Sequence, residues 1–191
     1  MKKTFIKKYP TVACCGLDCG LCPTYNSSGK SKCPGCCGPN FIEKHPSCSI
    51  ITCCIKQKNF EICADCEEFP CSKIDRWDQG DSFISHKKAL INLRSIKEGD
   101  IEAFIEQQRK RMVVLDELLN QYNEGRSKSY YCIAAALLSI ESLEVSLEKT
   151  KQKVKDDGIT INDIKAKSAI LKTYLDNAAK NEGVELKLRK K

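Results

Sequence analysis

The chain has 191 residues, a net charge of +7 and 14 cysteines. This length is enough for one domain with a sizeable core, or for a small domain joined to a larger one. Its apolar runs are shorter than the roughly 18–20 residues that a membrane-spanning helix needs, so we expect no membrane association. The positive charge alone does not indicate nucleic-acid binding, since it is concentrated at the two ends of the chain.

The excess of basic residues lies in 1–10 and 187–191, which hold four basic side chains each. A nucleic-acid footprint needs Lys and Arg clustered on one face, with aromatic side chains on which bases can stack. Four thiolates around one zinc ion would add a net charge of about −2 and reduce the excess further. A nucleic-acid-binding zinc ribbon is therefore the third of three functional hypotheses, and nucleic acid is not an expected partner.

The N-terminus begins with basic residues but lacks the pattern of a secretion signal. Phe5 and Ile6 are followed at once by Lys7 and Lys8, so the apolar core of a signal peptide is missing. In an oxidising compartment this many cysteines would indicate a disulfide framework. We expect a cytoplasmic protein instead, in which reduced cysteines in clusters bind metal.

Ten cysteines between residues 11 and 75 form an ordered set of candidate metal ligands. They are Cys15, Cys19, Cys22, Cys33, Cys36, Cys48, Cys53, Cys63, Cys66 and Cys71. The set contains three Cys-x2-Cys pairs, whose tight turns bring two sulfurs to one ion. Cys14, Cys37 and Cys54 each adjoin one of the ten. We expect these three to be small buried residues, or ligands of a neighbouring centre.

Two four-cysteine sites would use eight of the ten candidates. The preferred partition is Cys19, Cys22, Cys33 and Cys36 at one site, and Cys48, Cys53, Cys63 and Cys66 at the other. Cys15 and Cys71 are left over, and either could replace one of the cysteines in these two sites. Zinc is the preferred metal, with an iron–sulfur cluster as the alternative, because thiolate ligation by itself favours neither. Structural zinc contributes an apparent ~10–16 kcal/mol per site, which this apolar-poor segment needs in order to fold.

The spacing Cys15-x3-Cys19-x2-Cys22 also matches the cysteine loop of radical S-adenosylmethionine enzymes. Those enzymes continue into a barrel of repeated strand and helix units, whereas this chain continues with more cysteines and then helices. An enzymatic function is therefore not favoured, and the sequence assigns no catalytic residue.

Helical periodicity begins near residue 82 and predicts three to five helices. The first presents Ala89, Leu90, Leu93 and Ile96 on one face and is ended by Gly99. The second begins after Asp100 as N-cap. The overall prediction is a mainly α fold, in which a helical region, 82–191, packs on a metal-stabilised, loop-rich region, 11–75, in one compact unit with short hairpins at most.

Four further features belong to the second half. Ser139 is expected to begin a separate helix, and Thr160 with Asp163 resembles a capping box for the last one. Gly183 is expected to end that helix, and the alternation over 184–188 predicts a short strand.

Several polar residues have two possible roles. His45 could replace one thiolate, although a solvated loop histidine is the favoured interpretation, and His86 is expected at the surface. The segment 126–129 begins a helix and could bind an anion, but ordinary capping is favoured. Cys132 is expected in the core, with a ligand role as the alternative.

The motifs CCGLDCGLCPTY, CPGC, CSIITCC and FEICADCEEFPCSKI, followed by EQQRKRMVVLDELL and GRSKSYYCIAAALL, resemble the family catalogued as domain of unknown function 3795. The resemblance extends from about Cys15 to Leu147, and the ten candidate ligands fall on the family's cysteine positions. It implies a small metal-binding protein with no assigned activity. We therefore expect a structural, zinc-binding module that contacts an unidentified protein partner. An iron–sulfur electron-transfer protein is the alternative.

Overall fold

The computed structural model describes residues 6–45 and 48–189. Within these ranges the chain forms seven α-helices, and its β structure is one isolated bridge between Val12 and Asp18. The helices are α1 (Phe41–Lys44), α2 (Ser49–Ile51), α3 (Ala89–Glu98), α4 (Ile101–Gln121), α5 (Lys128–Leu137), α6 (Ile140–Asp156) and α7 (Ile164–Asn181). Short 3-10 turns occur at Cys19–Leu21, Gly29–Ser31 and Cys63–Asp65, and a π-helical segment at Thr52–Gln57. The predicted mainly α fold is confirmed.

The chain folds as two compact units. The first extends to Gln108 and includes Leu188 and Arg189, and the second is Arg109–Lys187. The boundary lies inside α4, beyond the change of composition near residue 80. The first unit therefore contains the cysteine-rich segment together with α3 and the first turns of α4. None of the described helices is long and apolar enough to cross a membrane.

In the first unit, α3 packs directly on the first cysteine loop. Its predicted apolar face is buried, and it contacts the 3-10 turn Cys63–Asp65. Asn92 on the same helix donates a hydrogen bond to the carbonyl of Gly16 at 2.9 Å. A Cβ at Gly16 would lie 2.2 Å from the carbonyl oxygen of Ala89, and its φ of +80° is a conformation that side chains disfavour. Glycine is therefore required at this contact.

The beginning of α4 is fixed to the same loop by polar contacts. Gln108 donates to the carbonyl of Thr11 at 3.0 Å and to the carboxylate of Asp18. Tyr9 donates its hydroxyl to Glu102 at 2.7 Å. The loop that carries the first cysteines is thus held by two helices.

The predicted helix boundaries are mostly confirmed. Asp100 caps α4, since its Oδ1 accepts from the backbone N–H of Ala103 at 2.5 Å. Ser139 separates α5 from α6 and accepts from Ser142 at 3.1 Å. The prediction of a capping box that starts at Thr160 is wrong, because residues 161–162 form a turn and α7 begins at Ile164, four residues after Thr160. Asp163 is the N-cap instead and accepts from Ala166 at 2.9 Å.

The predicted strand over 184–188 is also wrong, since this described segment is irregular. Gly183 ends the turn after α7 with a φ of +66°. The backbone N–H of Val184 then donates to the carbonyl of Ala179 at 2.9 Å, which completes the helix C-terminus. Alternating apolar residues form a strand only when a partner strand accepts their hydrogen bonds, and the chain described here supplies none.

The second unit has an ordinary helical core. Its fully buried side chains include Leu118, Tyr131, Leu143 and Leu171, and α6 packs along α7. Burying each large aliphatic side chain of this kind contributes about 1.5–3 kcal/mol. Cys132 is buried in this core, as expected.

The anion site considered at 126–129 is filled by the chain's own carboxylate. Ser127 precedes α5, and its hydroxyl donates to Glu124. Ser168 and Lys172 donate to the same carboxylate at 2.9 and 3.0 Å. Burial opposes the charge of Glu124, but these hydrogen bonds lower its pKa to about 2. Ser127 is the N-cap residue of α5, but its side chain bonds Glu124 and makes no capping hydrogen bond to the helix.

Candidate metal centres

All ten candidate ligands line one of two cavities in the first unit. The larger cavity, of about 480 Å³, is lined by Cys15, Cys19, Cys22, Cys33, Cys36 and Cys48. The smaller cavity, of about 90 Å³, is lined by Cys53, Cys63, Cys66 and Cys71. The thiols are spread over the surface of each cavity. In the ranges 6–45 and 48–189, no three His, Cys, Asp or Glu side chains lie close enough together to hold one metal ion.

This distribution differs from the preferred partition at two positions. Cys48 lines the larger cavity and Cys71 lines the smaller one, whereas the partition had put Cys48 with the second set and left Cys71 over. The physical reason is α2. Cys48 precedes this helix and Cys53 follows its last turn, so the two thiols are separated along the helix and line different cavities.

The backbone at two of the three Cys-x2-Cys pairs adopts the tight turn that the spacing predicts. The N–H of Cys22 donates to the carbonyl of Cys19 at 3.1 Å, and that of Cys66 to Cys63 at 3.2 Å. At the third pair the N–H of Cys36 donates to the carbonyl of Pro10 at 2.7 Å. Gly35, between Cys33 and Cys36, has a φ of +84°, and a Cβ there would lie 2.3 Å from the same carbonyl. The third pair is therefore held against Pro10 and not by a turn of its own.

Burial and contacts between thiols raise the pKa of several cysteines at the larger cavity. Burial raises the pKa of Cys15 and of Cys19. Contact with the Cys14 thiol raises the pKa of Cys36 to about 11. Metal binding at such thiols displaces their protons, because the thiolate is the ligand form.

A buried lysine lies beside these thiols. Lys7 is 3% exposed, and its Nζ donates to the carbonyl of Val12 at 2.7 Å. Burial opposes its charge, but attraction to Cys14, Cys36 and Glu61 outweighs burial and raises its pKa. In the sequence, Lys7 is one of several lysines in the basic N-terminal segment. Nothing there indicates that its side chain is buried next to the thiols.

The three doublet cysteines are buried, as expected, and contact one another. The Sγ atoms of Cys14 and Cys36 are 3.9 Å apart. The Cys37 thiol contacts both of them, and the Cys54 thiol contacts Cys14 and Cys63. These contacts form a continuous chain of thiols from Cys36, in the larger cavity, to Cys63, in the smaller one.

The two histidines also lie at the larger cavity. His45 is partly buried and stacks on Phe41 with the ring centroids 4.6 Å apart. The expectation that His86 lies at the surface is wrong, since it is 5% exposed. Its Nδ1 is 3.0 Å from the carbonyl of Trp77, and its Nε2 is 3.0 Å from Oγ of Ser82. Because both ring nitrogens have partners, His86 positions the loop around it rather than a metal.

The segment 76–86, which we call the cavity wall, is held by a buried ion pair. The Asp81 side chain is fully buried and accepts from the backbone N–H and the guanidinium of Arg189 at 2.7–3.2 Å. It also accepts from the backbone N–H of His86 at 2.7 Å. Burial alone would raise the pKa of Asp81, but these bonds outweigh it and hold the pKa well below its ordinary value. We call this contact the tail clamp.

No curated protein and no solved structure matches the chain. A protein-family model does match, and its boundaries follow the cysteine region closely. The match begins at Thr11, before the first candidate ligand, and ends at Arg76, after the last one. The helical motifs after residue 76 lie outside it. The resemblance drawn from the cysteine motifs is therefore confirmed over residues 11–76, which match the family described as "Protein of unknown function (DUF3795)".

Proposed function

We propose that the first unit is a metal-binding module with two centres, one in each cysteine-lined cavity, and that these centres hold together a binding site. The observation that supports this proposal most is how the ten cysteines are divided between the cavities. Six line the larger cavity and four line the smaller one, so each has at least the four thiols that one thiolate centre needs.

The smaller cavity suits a structural zinc ion. It offers four thiols, from Cys53, Cys63, Cys66 and Cys71, and its volume of about 90 Å³ leaves little room beyond one ion. Lys58 lies beside the Cys66 thiol. Lys97 donates to the carbonyl of Cys66 at 3.1 Å. These two cations offset part of the negative charge that four thiolates bring to a zinc ion. Metal binding here needs rotation of the thiols toward the ion.

Zinc is the first candidate for the larger cavity as well. An iron–sulfur cluster is the second candidate, because this cavity is large enough to hold one. It offers six thiols, two more than a cluster or an ion needs, in a volume of about 480 Å³. The buried ammonium of Lys7 lies beside Cys14 and Cys36 and would offset thiolate charge in either case. An iron–sulfur cluster would give this centre the capacity to pass single electrons, whereas zinc would make it purely structural.

Metal binding would also contribute to the folding of the first unit. Its buried core contains five cysteines, namely Cys14, Cys15, Cys36, Cys37 and Cys54, beside nine valine, leucine and isoleucine side chains. Bound metal would cross-link the loops that carry the cysteines, and the free energy of metal binding then becomes free energy of folding. We expect chelation to unfold the first unit and to leave the second helical.

Combined substitutions test the assignment of the two centres. Cys63→Ser/Cys66→Ser leaves two candidate thiols in the smaller cavity and should remove its metal. Cys19→Ser/Cys22→Ser/Cys36→Ser leaves three of the six candidate thiols in the larger cavity and should remove its metal. Cys132→Ser, in the core of the second unit, is the matched control and should keep the full metal content. Elemental analysis of protein purified without oxygen measures all three, and equal metal content in all of them would overturn the proposal.

A further inference from the structure

Cys14 and Cys36 form a pair of buried thiols that the two proposed centres do not need. Their Sγ atoms are 3.9 Å apart, and the two residues are 1% and 5% exposed. Cys14 is not one of the ten candidate ligands. Without Cys36 the larger cavity still has five of its six candidate thiols, one more than a four-thiolate centre uses. Both thiols of the pair can therefore serve a further site.

The backbone fixes the two thiols at a distance that one metal ion can span. The N–H of Cys36 donates to the carbonyl of Pro10 at 2.7 Å, and the carbonyl of Cys14 accepts from the N–H of Cys63 at 2.9 Å. A metal ion such as zinc lies about 2.3 Å from a thiolate sulfur, so one ion can join two sulfurs that are up to about 4.6 Å apart. From 3.9 Å, a linear sulfur–metal–sulfur arrangement needs a further separation of only about 0.7 Å, which small rotations of the two side chains supply.

A buried ammonium group lies beside the pair. Lys7 is held at both ends, since its backbone N–H donates to the carbonyl of Cys37 at 3.2 Å and its Nζ to the carbonyl of Val12 at 2.7 Å. Buried charges in folded proteins are generally paired. Glu61 attracts this ammonium less strongly than the two thiols do in their thiolate form, and its carboxylate also accepts from two backbone N–H groups. Lys7 is therefore placed to offset negative charge on the thiol pair.

Charge and coordination together favour a soft, monovalent ion. Such an ion with two thiolates carries a net charge of −1, which the single positive charge of Lys7 matches. Zinc with two thiolates would be neutral and would need two more ligands. In the described part of the chain, no group of three metal-ligating side chains lies close enough together to supply even one of them. Cu(I) meets both conditions, because it is a soft ion that thiolates select and it is stable with two ligands.

We propose that Cys14 and Cys36 form a Cu(I) site, in which the ion joins the two sulfurs and the ammonium of Lys7 offsets the negative charge. Cu(I) replaces the proton of each thiol, so two protons are released and no electron is transferred. Both cysteines line the larger cavity, which gives the ion a route to the pair. The site goes beyond the proposed function, because it is additional to the two centres and leaves each of them at least four thiols.

A copper titration of the full-length protein, purified without oxygen, tests this site. One equivalent of Cu(I) is added as its coloured complex with bicinchoninate, and the zinc and iron released are measured in the same sample. We expect one copper ion per chain to transfer to the protein without release of zinc or iron. X-ray absorption at the copper edge should show two sulfur neighbours. Absence of transfer, release of one zinc ion for each copper bound, or three or more sulfur neighbours would overturn the inference.

Substitutions locate the copper. Cys14→Ser removes a ligand and should weaken Cu(I) binding by about 100-fold or more, whereas its zinc content should stay unchanged. Cys132→Ser, another buried cysteine, is the matched control and should bind Cu(I) as the unmodified chain does. Equal Cu(I) affinity in these two variants would overturn the inference.

A second pair of variants tests the charge and keeps both thiols. Lys7→Met removes the buried ammonium and should weaken Cu(I) binding by about tenfold or more. Lys8→Met, its matched control, removes an exposed ammonium and should leave the affinity unchanged. This comparison still decides the matter when Cys14→Ser fails to fold, and equal Cu(I) affinity in the two lysine variants would count against the site.

The metal content of the same samples separates this inference from the proposed function. Two metal centres per chain without Cu(I) transfer would refute the copper site and leave the proposed function standing. Copper bound by two sulfurs, in protein that was isolated without oxygen and holds neither zinc nor iron, would support the copper site and refute the proposed function.

Discussion

The tail clamp predicts that one arginine near the C-terminus stabilises the first unit. Arg189→Ala removes the guanidinium donors of Asp81 and leaves a fully buried carboxylate without a cation. Breaking a buried ion pair on one side costs about 3–5 kcal/mol. The Arg189 side chain is one-third exposed, which reduces the loss, and the backbone N–H donors of Arg189 and His86 remain. We expect the free energy of unfolding of the first unit to fall by about 2–3 kcal/mol.

Urea denaturation followed by Trp77 fluorescence measures this loss in the cavity wall itself. Lys8→Ala is the matched control, since Lys8 is a cation of the first unit whose pair with Glu102 is exposed on both sides. Its removal should leave the free energy of unfolding nearly unchanged. Equal losses for the two variants would refute the reasoning.

The clamp should also have a defined pH dependence. The folded-state pKa of Asp81 lies below its ordinary value, so its contribution is fully present above the unfolded pKa of about 4. The contribution is then lost as the pH falls toward the folded-state value. The difference in stability between the unmodified chain and Arg189→Ala should therefore be constant near neutral pH and should shrink below about pH 4. A difference that grows on acidification would contradict the assignment of Asp81.

Three further outcomes follow from the geometry. Cys48→Ser in the Cys63→Ser/Cys66→Ser background should weaken metal binding in the larger cavity, and Cys71→Ser in the Cys19→Ser/Cys22→Ser/Cys36→Ser background should weaken it in the smaller one. Elemental analysis measures both, and the reverse result would contradict the division of the thiols. Gly16→Ala should destabilise the first unit by more than the roughly 1–2 kcal/mol that a positive φ costs, because its Cβ would overlap the backbone of α3. Gly29→Ala, at a positive φ in open space of the same unit, should cost only that amount in the urea assay followed by Trp77 fluorescence, and equal costs would refute the close contact. Glu124→Gln should destabilise the second unit by about 1 kcal/mol at neutral pH, and the effect should vanish as the pH falls from about 4 toward 2, since the folded-state pKa is about 2. Circular dichroism during thermal unfolding measures it, and an effect independent of pH would exclude the carboxylate as the cause.

Local features of the fold could be predicted from the sequence because their causes are local. Periodic apolar residues, Gly99 as a stop and Ser139 as a cap act within a few residues of the chain, and each marks a real helix boundary. The ten candidate ligands follow from spacing in the same way. The strand predicted over 184–188 failed because a strand requires a distant partner, which alternation alone cannot supply.

The features missed in the sequence all depend on distant contacts. Arg189 reaches Asp81 across 108 positions, so it is indistinguishable in the sequence from an ordinary basic tail. Lys7 and His86 are buried by segments that fold around them, and neither carries a local signal of burial. The assignment of Cys48 to the larger cavity depends on a short helix that begins immediately after it. Composition and spacing identified the ten candidate cysteines, but the division of these cysteines between two cavities is a property of the tertiary structure.

The metal and acid-labile sulfide content of the full-length protein, purified without oxygen, is the most direct test of metal binding. We expect two metal centres per chain, as two zinc ions, or as one zinc ion together with iron and sulfide. The visible spectrum of the same sample should show absorption only when iron is present. Fewer than one metal centre per chain, in protein whose first unit is nevertheless folded, would contradict the central claim that thiolate-bound metal organises the cysteine-lined cavities.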